Sequence, residues 1–286
     1  MTRCLWLATA CALLAGCGAD AGPGRSADAA AGDTQPRIVS LAPHLTELIF
    51  SAGAGEYLVG TVSFSDYPPQ ARAIARVGDA FRIDTERLAA LAPTMIMAWE
   101  GGNPAAVLDR LVDDGYRVER FATQGLEGIS HNLRRVGSLI GSPDVAQRAA
   151  DDFDARLQTL RERYFSLEPV SVFFQIGEQP VFTVSDDHAI GQIIALCGGR
   201  NVFANLSGLA ASVSDESVVA SDPQVLMTAG NVASLARWQR YEGRAVRAGY
   251  LFGIDADTIT RDSLRILDGA AQVCAHLQSV RARLDD

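Results

Sequence analysis

Residues 83–98, IDTERLAALAPTMIMA, align without a gap against residues 213–228, VSDESVVASDPQVLMT. Each copy offers a helix-capping residue (Asp84, Ser214), a glutamate two positions on (Glu86, Glu216), an apolar pair, a proline and a short apolar run. The pattern predicts a short capped helix that proline ends before a strand. A fainter echo pairs LIFSAGA (48–54) with IIALCGG (193–199). One unit met twice argues for two similar α/β lobes and against a many-unit array.

Working outward, RIVSLA (37–42) has strand composition, LTELIFSAGAG (45–55) has helical spacing with a glycine stop, and EYLVGTV (56–62) reads as a second strand. SFSDYPP then breaks the pattern with Pro68 and Pro69. Strands alternating with short helices predict mostly parallel sheets flanked by helices. Between the two halves lies SPDVAQRAADDFDARLQTLRERYF, 142–165. Ser142 suits an N-cap and Pro143 the first helical position. Val145, Ala149, Phe153, Leu157, Leu160 and Tyr164 form one apolar stripe. About 22 helical residues would span roughly 33 Å, enough to bridge two lobes. The expected organisation is an N-terminal lobe over 37–141, a single connecting helix over 142–165 and a C-terminal lobe over 166–286, with a ligand cleft between the lobes.

The chain has 286 residues, enough for two ordinary lobes, and 48% are hydrophobic, so a substantial core is expected. The formal net charge is −9, and the 25 basic residues, all arginine, are scattered. Nothing in that distribution resembles a nucleic-acid footprint. Arg3 followed by CLWLATACALLAG has the length of a signal core and is too short for a stable membrane span. It closes on Leu14-Ala15-Gly16-Cys17, which resembles the bacterial lipoprotein cleavage box. Residues 1–17 are therefore expected to be a signal segment with lipid on Cys17, and 18–36, small and polar, a flexible tether. The expected location is the periplasm or cell surface, anchored by lipid, in an oxidising compartment. Of five cysteines, Cys4 and Cys11 would leave with the signal and Cys17 would carry the lipid. The even remainder, Cys197 and Cys274, is expected to form a disulfide; the alternative is two buried thiols.

The sequence contains no GxSxG elbow, no HExxH and no GxxxxGK loop, and it offers no nucleophile–base pattern. His131 and His276 fall in helical patterns as surface or boundary residues. His44 and His188 each stand where a strand hands over to a helix, one per lobe, which would bring them near a cleft. Two donors fall short of the three or four of a metal site. No catalytic residues, metal or cofactor are expected, and a binding protein is. In parallel α/β lobes, ligands sit beyond the carboxyl ends of strands. Phe64, Tyr67, Phe81 and Trp99 in the first lobe and Phe182 in the second fall at such ends. Trp99 closes TMIMAW immediately before Glu-Gly-Gly-Asn, a break that should leave the ring accessible. Flat apolar rings at loop mouths suit a large, rigid, mainly uncharged ligand. The competing reading of each ring is a cap on the core.

SDYPPQA (65–71), the ER of TERLAAL, AWxGGN (98–103), PxFT (180–183), CGGxNxF (197–203) and the pair Arg261 and Arg265 together resemble the periplasmic cobalamin-binding proteins of ABC importers. The likeness runs from about Arg37 to Leu284. That family is a class of substrate-binding proteins whose two lobes are joined by one long helix. The resemblance implies that Trp99 and Phe182 line a corrinoid pocket and that Asp257 and Arg261 lie near it. It implies that Glu86 and Glu216 dock, one per lobe, on arginines of the paired membrane subunits, and that Cys197 pairs with Cys274. The competing reading of each glutamate is a favourable charge in a first helical turn. The sequence departs from the family at Ala80 and Ala210, where relatives carry pocket tryptophans, and at Phe64, which replaces a tyrosine. The implied function is capture of cobalamin or a related corrinoid by a monomeric protein that hands it to the importer. Within the same class the ligand could instead be haem, with Tyr67 or His44 as axial residue, or a ferric siderophore. A corrinoid-processing enzyme on the same lobes is the remaining alternative.

Overall fold

Both copies of the repeated segment fold alike, residue for residue. In the computed structural model, which describes residues 35–123 and 125–284, the first copy is a helix over Thr85–Ala90 capped by Asp84, whose carboxylate accepts from the Arg87 N–H. The second is a helix over Asp215–Ser221 capped by the Ser214 hydroxyl, which accepts from the Ser217 N–H. Ala92 and Asp222 then turn into the left-handed region, at φ 42° and 36°, just before Pro93 and Pro223. The strands that follow, Met95–Glu100 and Val225–Ala229, occupy matching places in two sheets.

The first sheet is built from β1 (Ile38–Ser40), β2 (Leu58–Gly60), β3 (Met95–Glu100) and β4 (Val118–Ala122). Its order is β2-β1-β3-β4 and every pairing is parallel. Helices α1 (Pro43–Ser51), α2 (Thr85–Ala90) and α3 (Ala105–Asp113) connect these strands, and α4 (Gly125–Ile140) follows them. The connecting helix α5 runs over Pro143–Tyr164, 22 residues. Ser142 stands at its N-cap, but its side chain makes no capping bond; the hydroxyl donates instead to the Ala52 carbonyl, 2.6 Å away. That tie holds the start of α5 to the end of α1.

The second sheet contains β5 (Val170–Glu178), β6 (Val181–Val184), β7 (Gly199–Asn201), β8 (Ala210–Ser212), β9 (Val225–Ala229) and β10 (Leu251–Ile254). The order β10-β9-β5 is parallel, β7 also pairs parallel with β5, and β6 and β8 extend the other edge antiparallel. Helices α6 (Ala189–Leu196), α7 (Asp215–Ser221), α8 (Arg244–Ala248), α9 (Ala256–Ile259) and α10 (Ile266–Leu284) complete it. α1 and α6, the fainter echo, end alike: Gly53 and Gly198 adopt φ 79° and 68°, a conformation that glycine enters without a Cβ penalty. The fold is thus two α/β lobes with mostly parallel sheets, joined by one long helix.

Strand alternation explains the layering. Met95 and Met97 face one core while Ile96 and Ala98 face another; Met227 and Leu226 divide in the same way in the second lobe. The inward sets merge into one continuous core that includes residues of α1, α4, α5, α6 and α10. The outward sets form separate satellite cores under α2 with α3 and under α7 with α8, anchored by Leu88 and Val218 at equivalent repeat positions. Cys197, closing α6, and Cys274, within α10, are joined by a disulfide inside the shared core. Among the described residues no helix is long and apolar enough to cross a membrane. The expected signal segment over 1–17, lipidation at Cys17, and the tether up to Thr34 lie outside the described residues.

Candidate functional site

Trp99 is the penultimate residue of β3, and its place follows from alternation: after Met95 and Met97, it is the third side chain on the inner face. The ring is half-buried against the shared core, not fully displayed as the Glu-Gly-Gly-Asn break suggested. Its indole N–H donates to the Thr123 hydroxyl at 3.0 Å. Gly102 lies against its face; a Cβ at Gly102 would come within 2.0 Å of the ring atoms. Asn103 is the organising residue of this turn. Its side-chain oxygen accepts from the Trp99 N–H at 2.7 Å, and its amide donates to the Leu41 and Ala80 carbonyls at 3.0 and 2.8 Å. One buried amide thereby fixes three segments, and AWxGGN acquires a physical reason for its glycine and its asparagine.

A cavity of about 300 Å³ opens beside Trp99. Pro43, His44 and Phe64 complete its first-lobe wall, and Ala256, Asp257, Thr260, Arg261 and Asp262 form the opposite wall. Phe64 is 77% exposed and holds φ 65°, an unfavourable left-handed conformation for a residue with a Cβ. The Arg76 guanidinium, donating to the Ser65 carbonyl at 2.7 Å, braces that loop. A second cavity of about 600 Å³ lies at the carboxyl ends of β5 and β9, lined by residues that include Gln175, Gly177, Ala229 and Asn231. Phe182, opposite Gly177 in the β5–β6 register, stands at its edge. Gly230, between Ala229 and Asn231 of the second lining, lies against Ala256 of the first: a Cβ at Gly230 would lie 3.8 Å from that of Ala256.

The structure therefore brings Phe64, Trp99, Asp257 and Arg261 to one cavity and sets Phe182 beside the next. Tyr67 and Phe81 do not line either space. Phe81 is 66% exposed on the loop before α2, and Tyr67 lies beneath the Arg265 guanidinium, 3.8 Å from the ring centroid. Glu86 and Glu216 are exposed in the first turns of α2 and α7. Of the two handover histidines, His44 lines the cavity, whereas His188 caps α6, its Nδ1 accepting from the Ile190 N–H.

Sequence reasoning missed the group that ties the lobes together. Glu47 of α1 is only 3% exposed and accepts from Arg261 at 3.0 Å, from Arg265 at 3.0 and 2.6 Å and from the Ser263 hydroxyl at 2.6 Å. Arg261 also donates to Asp66 at 2.7 Å and to Asp257 at 2.8 Å. Arg261 and Arg265 precede α10, so the network crosses from the first lobe to the second. Burial raises the Asp66 pKa, but the hydrogen bond and charge of Arg261 outweigh it and hold the carboxyl below its usual range. Asp262 goes the other way: burial raises its pKa, and the Thr123 hydroxyl only partly offsets this. The available signal was a lone carboxylate in a helix with no arginine to pair it, PHLTELIFS, answered by two arginines four apart. The cavity thus presents Pro43, Phe64 and Trp99 with one imidazole, His44, on the first-lobe side and mainly polar side chains on the other.

The periplasmic binding protein family profile matches residues 38–258. The vitamin B12-binding protein of Vibrio cholerae is 37% identical over 245 residues, covering 85% of this chain and 89% of the relative. The crystal structure of the periplasmic vitamin B12-binding protein of Vibrio cholerae superposes with a TM-score of 0.79 at 36% identity, covering 86% of this chain and 97% of that one. A periplasmic heme-binding protein from Roseiflexus sp. RS-1 superposes with a TM-score of 0.78 at 24% identity, covering 86% and 99%, which speaks to the fold alone.

Proposed function

This chain belongs to the periplasmic binding protein family, and from that premise we propose that it captures cobalamin or a related corrinoid outside the cytoplasm and delivers it to an ABC importer. The observation that carries the reading is the cross-lobe cavity beside Trp99 in a chain 37% identical to a vitamin B12-binding protein. Phe64 and Trp99 offer apolar faces to the macrocycle, with Phe182 at the edge of the adjoining space. Asp257 and the outward side of Arg261 offer polar groups to its peripheral amides. Tyr67 and Phe81, exposed and outside both spaces, remain ligand contacts only as the resemblance proposes them.

Capture is non-covalent, and the ligand is the cargo, not a cofactor. Glu86 and Glu216, exposed at equivalent points of the repeat, would engage the two membrane subunits and pull the lobes apart for release. The domain assignment follows the same reading: lobes over 37–141 and 166–286, a connecting helix over 142–165, and a monomer tethered through 18–36 by lipid on Cys17 after loss of the signal. Isothermal titration with cyanocobalamin, dicyanocobinamide, haem and a ferric siderophore tests the ligand. Saturable one-to-one binding of a corrinoid is expected. Binding of haem or the siderophore with no corrinoid bound would replace the reading with its rival in the same class.

A further inference from the structure

His44 follows Pro43 in the first turn of α1, is 9% exposed and borders the cavity beside Trp99. The indole stands edge-on to it, 5.2 Å between centroids at 86°, and limits the ring's rotation. No group among the described residues hydrogen-bonds the imidazole, yet neither of its nitrogens is among the sealed unpaired polar atoms, which are Arg237 Nε and Arg281 Nη1. The free nitrogens therefore open on the cavity.

The charged groups on the opposite wall are Asp257, Arg261 and Asp262. Arg261 is already committed to Glu47, Asp66 and Asp257. Burial lowers the imidazole pKa to about 4, so the ring is neutral at ordinary pH and carries a free lone pair. A neutral imidazole whose nitrogens face a cavity and bond no protein group is placed to donate its lone pair to a ligand atom. Among the described residues no three His, Cys, Asp or Glu side chains converge, so the site does not suit a bare cation. A metal that brings its own in-plane chelate needs only an axial donor from the protein.

Resting on the corrinoid reading, we propose that His44 supplies an axial nitrogen to the cobalt of a corrinoid whose axial position is held by water. The exchange balances simply. The imidazole lone pair forms the Co–N bond, the Co–O bond breaks, and water leaves with both its protons; the oxidation state of cobalt does not change and the ring releases no proton. The site therefore favours aquo-corrinoids over forms whose two axial positions hold cyanide.

The test titrates the purified full chain with diaquocobinamide and with dicyanocobinamide, measuring retention by ultrafiltration and the visible spectrum of the retained fraction. The wild type is expected to shift the diaquocobinamide bands to those of a nitrogen-ligated corrinoid and to prefer that form. His44→Ala and His44→Gln, each checked for folding by circular dichroism, should lose the shift and narrow the preference. Electron paramagnetic resonance of the bound Co(II) form should show nitrogen splitting in the wild type alone. Retention of diaquocobinamide by the wild type with the spectrum of the free aquo form overturns the axial role and leaves the corrinoid reading standing. Retention of neither cobinamide, with no cyanocobalamin bound, overturns both.

Discussion

Trp99 joins the binding surface to the core, so its removal has two consequences. Trp99→Ala should weaken corrinoid binding by roughly tenfold or more, the loss expected from one buried aromatic face. Because the ring is half-buried and its N–H is bonded to Thr123, the variant should also lose stability. Gly102→Ala separates the effects: its Cβ would collide with the indole, so the ring must shift while its bulk remains. Titration calorimetry and thermal melts on both variants should show reduced affinity in each, with the larger melting shift in Trp99→Ala. His44 gives a pH signature. Its pKa is about 4 in the fold against 6.5 unfolded, so the unfolded chain binds a proton that the native state refuses between those values. That contribution is fully present above about pH 6.5 and is lost as pH falls towards 4, amounting to about 3 kcal/mol. His44→Leu should flatten this part of a chemical-denaturation series; an unchanged slope would assign it to other groups. Of the aromatic residues read from strand ends, Phe64 and Trp99 line the cavity, whereas Tyr67 and Phe81 line neither space. The role of Asn103 could not be read, since two of its three partners, the Leu41 and Ala80 carbonyls, lie far from it in the chain.

Helix α1 joins the lobes through a single carboxylate. It presents His44 to the cavity from its first turn and Glu47 to Arg261 and Arg265 one turn later. Glu47→Gln removes the only carboxylate that Arg265 meets in this network and leaves the buried Arg261 and the partly buried Arg265 guanidinium poorly matched. Breaking a buried pair on one side usually costs about 3–5 kcal/mol, and urea denaturation should register a loss of that order. A change below about 1 kcal/mol would place the network in the exposed, screened class. The Asp66–Arg261 link adds a milder dependence. The Asp66 carboxyl titrates below its usual range, so its contribution persists at neutral pH and is lost only in acid, as pH falls through that depressed pKa. The helices themselves were legible: Asp84 and Ser214 cap as expected. Ser142 holds the expected position but uses its hydroxyl to bind Ala52, because a carbonyl 90 residues away in sequence competes for it.

For the whole molecule, the repeat places two exposed carboxylates, Glu86 and Glu216, at equivalent helix starts on separate sheets. Combining Glu86→Ala with Glu216→Ala should abolish importer-dependent corrinoid uptake while calorimetry on the purified protein gives wild-type affinity. Lost affinity would mean that the glutamates serve the fold. Each carboxylate also stabilises its own helix N-terminus by a few tenths to about 1 kcal/mol, so a small fall in melting temperature is expected and does not count against docking.

Periodicity and local caps determined the two lobes, the connecting helix and the matched pair of glutamates. These are short-range properties, set by alternation along a strand, spacing around a helix and the chemistry of a turn, and the order of residues carries them directly. Tertiary structure alone decided that Glu47 meets two arginines more than 200 residues later, that His188 caps a helix while His44 opens on a cavity, and that Trp99 is only half available to a ligand. Those outcomes depend on how two lobes close against each other, and the energy of a buried charge or an unpaired ring is fixed by neighbours that local sequence does not specify.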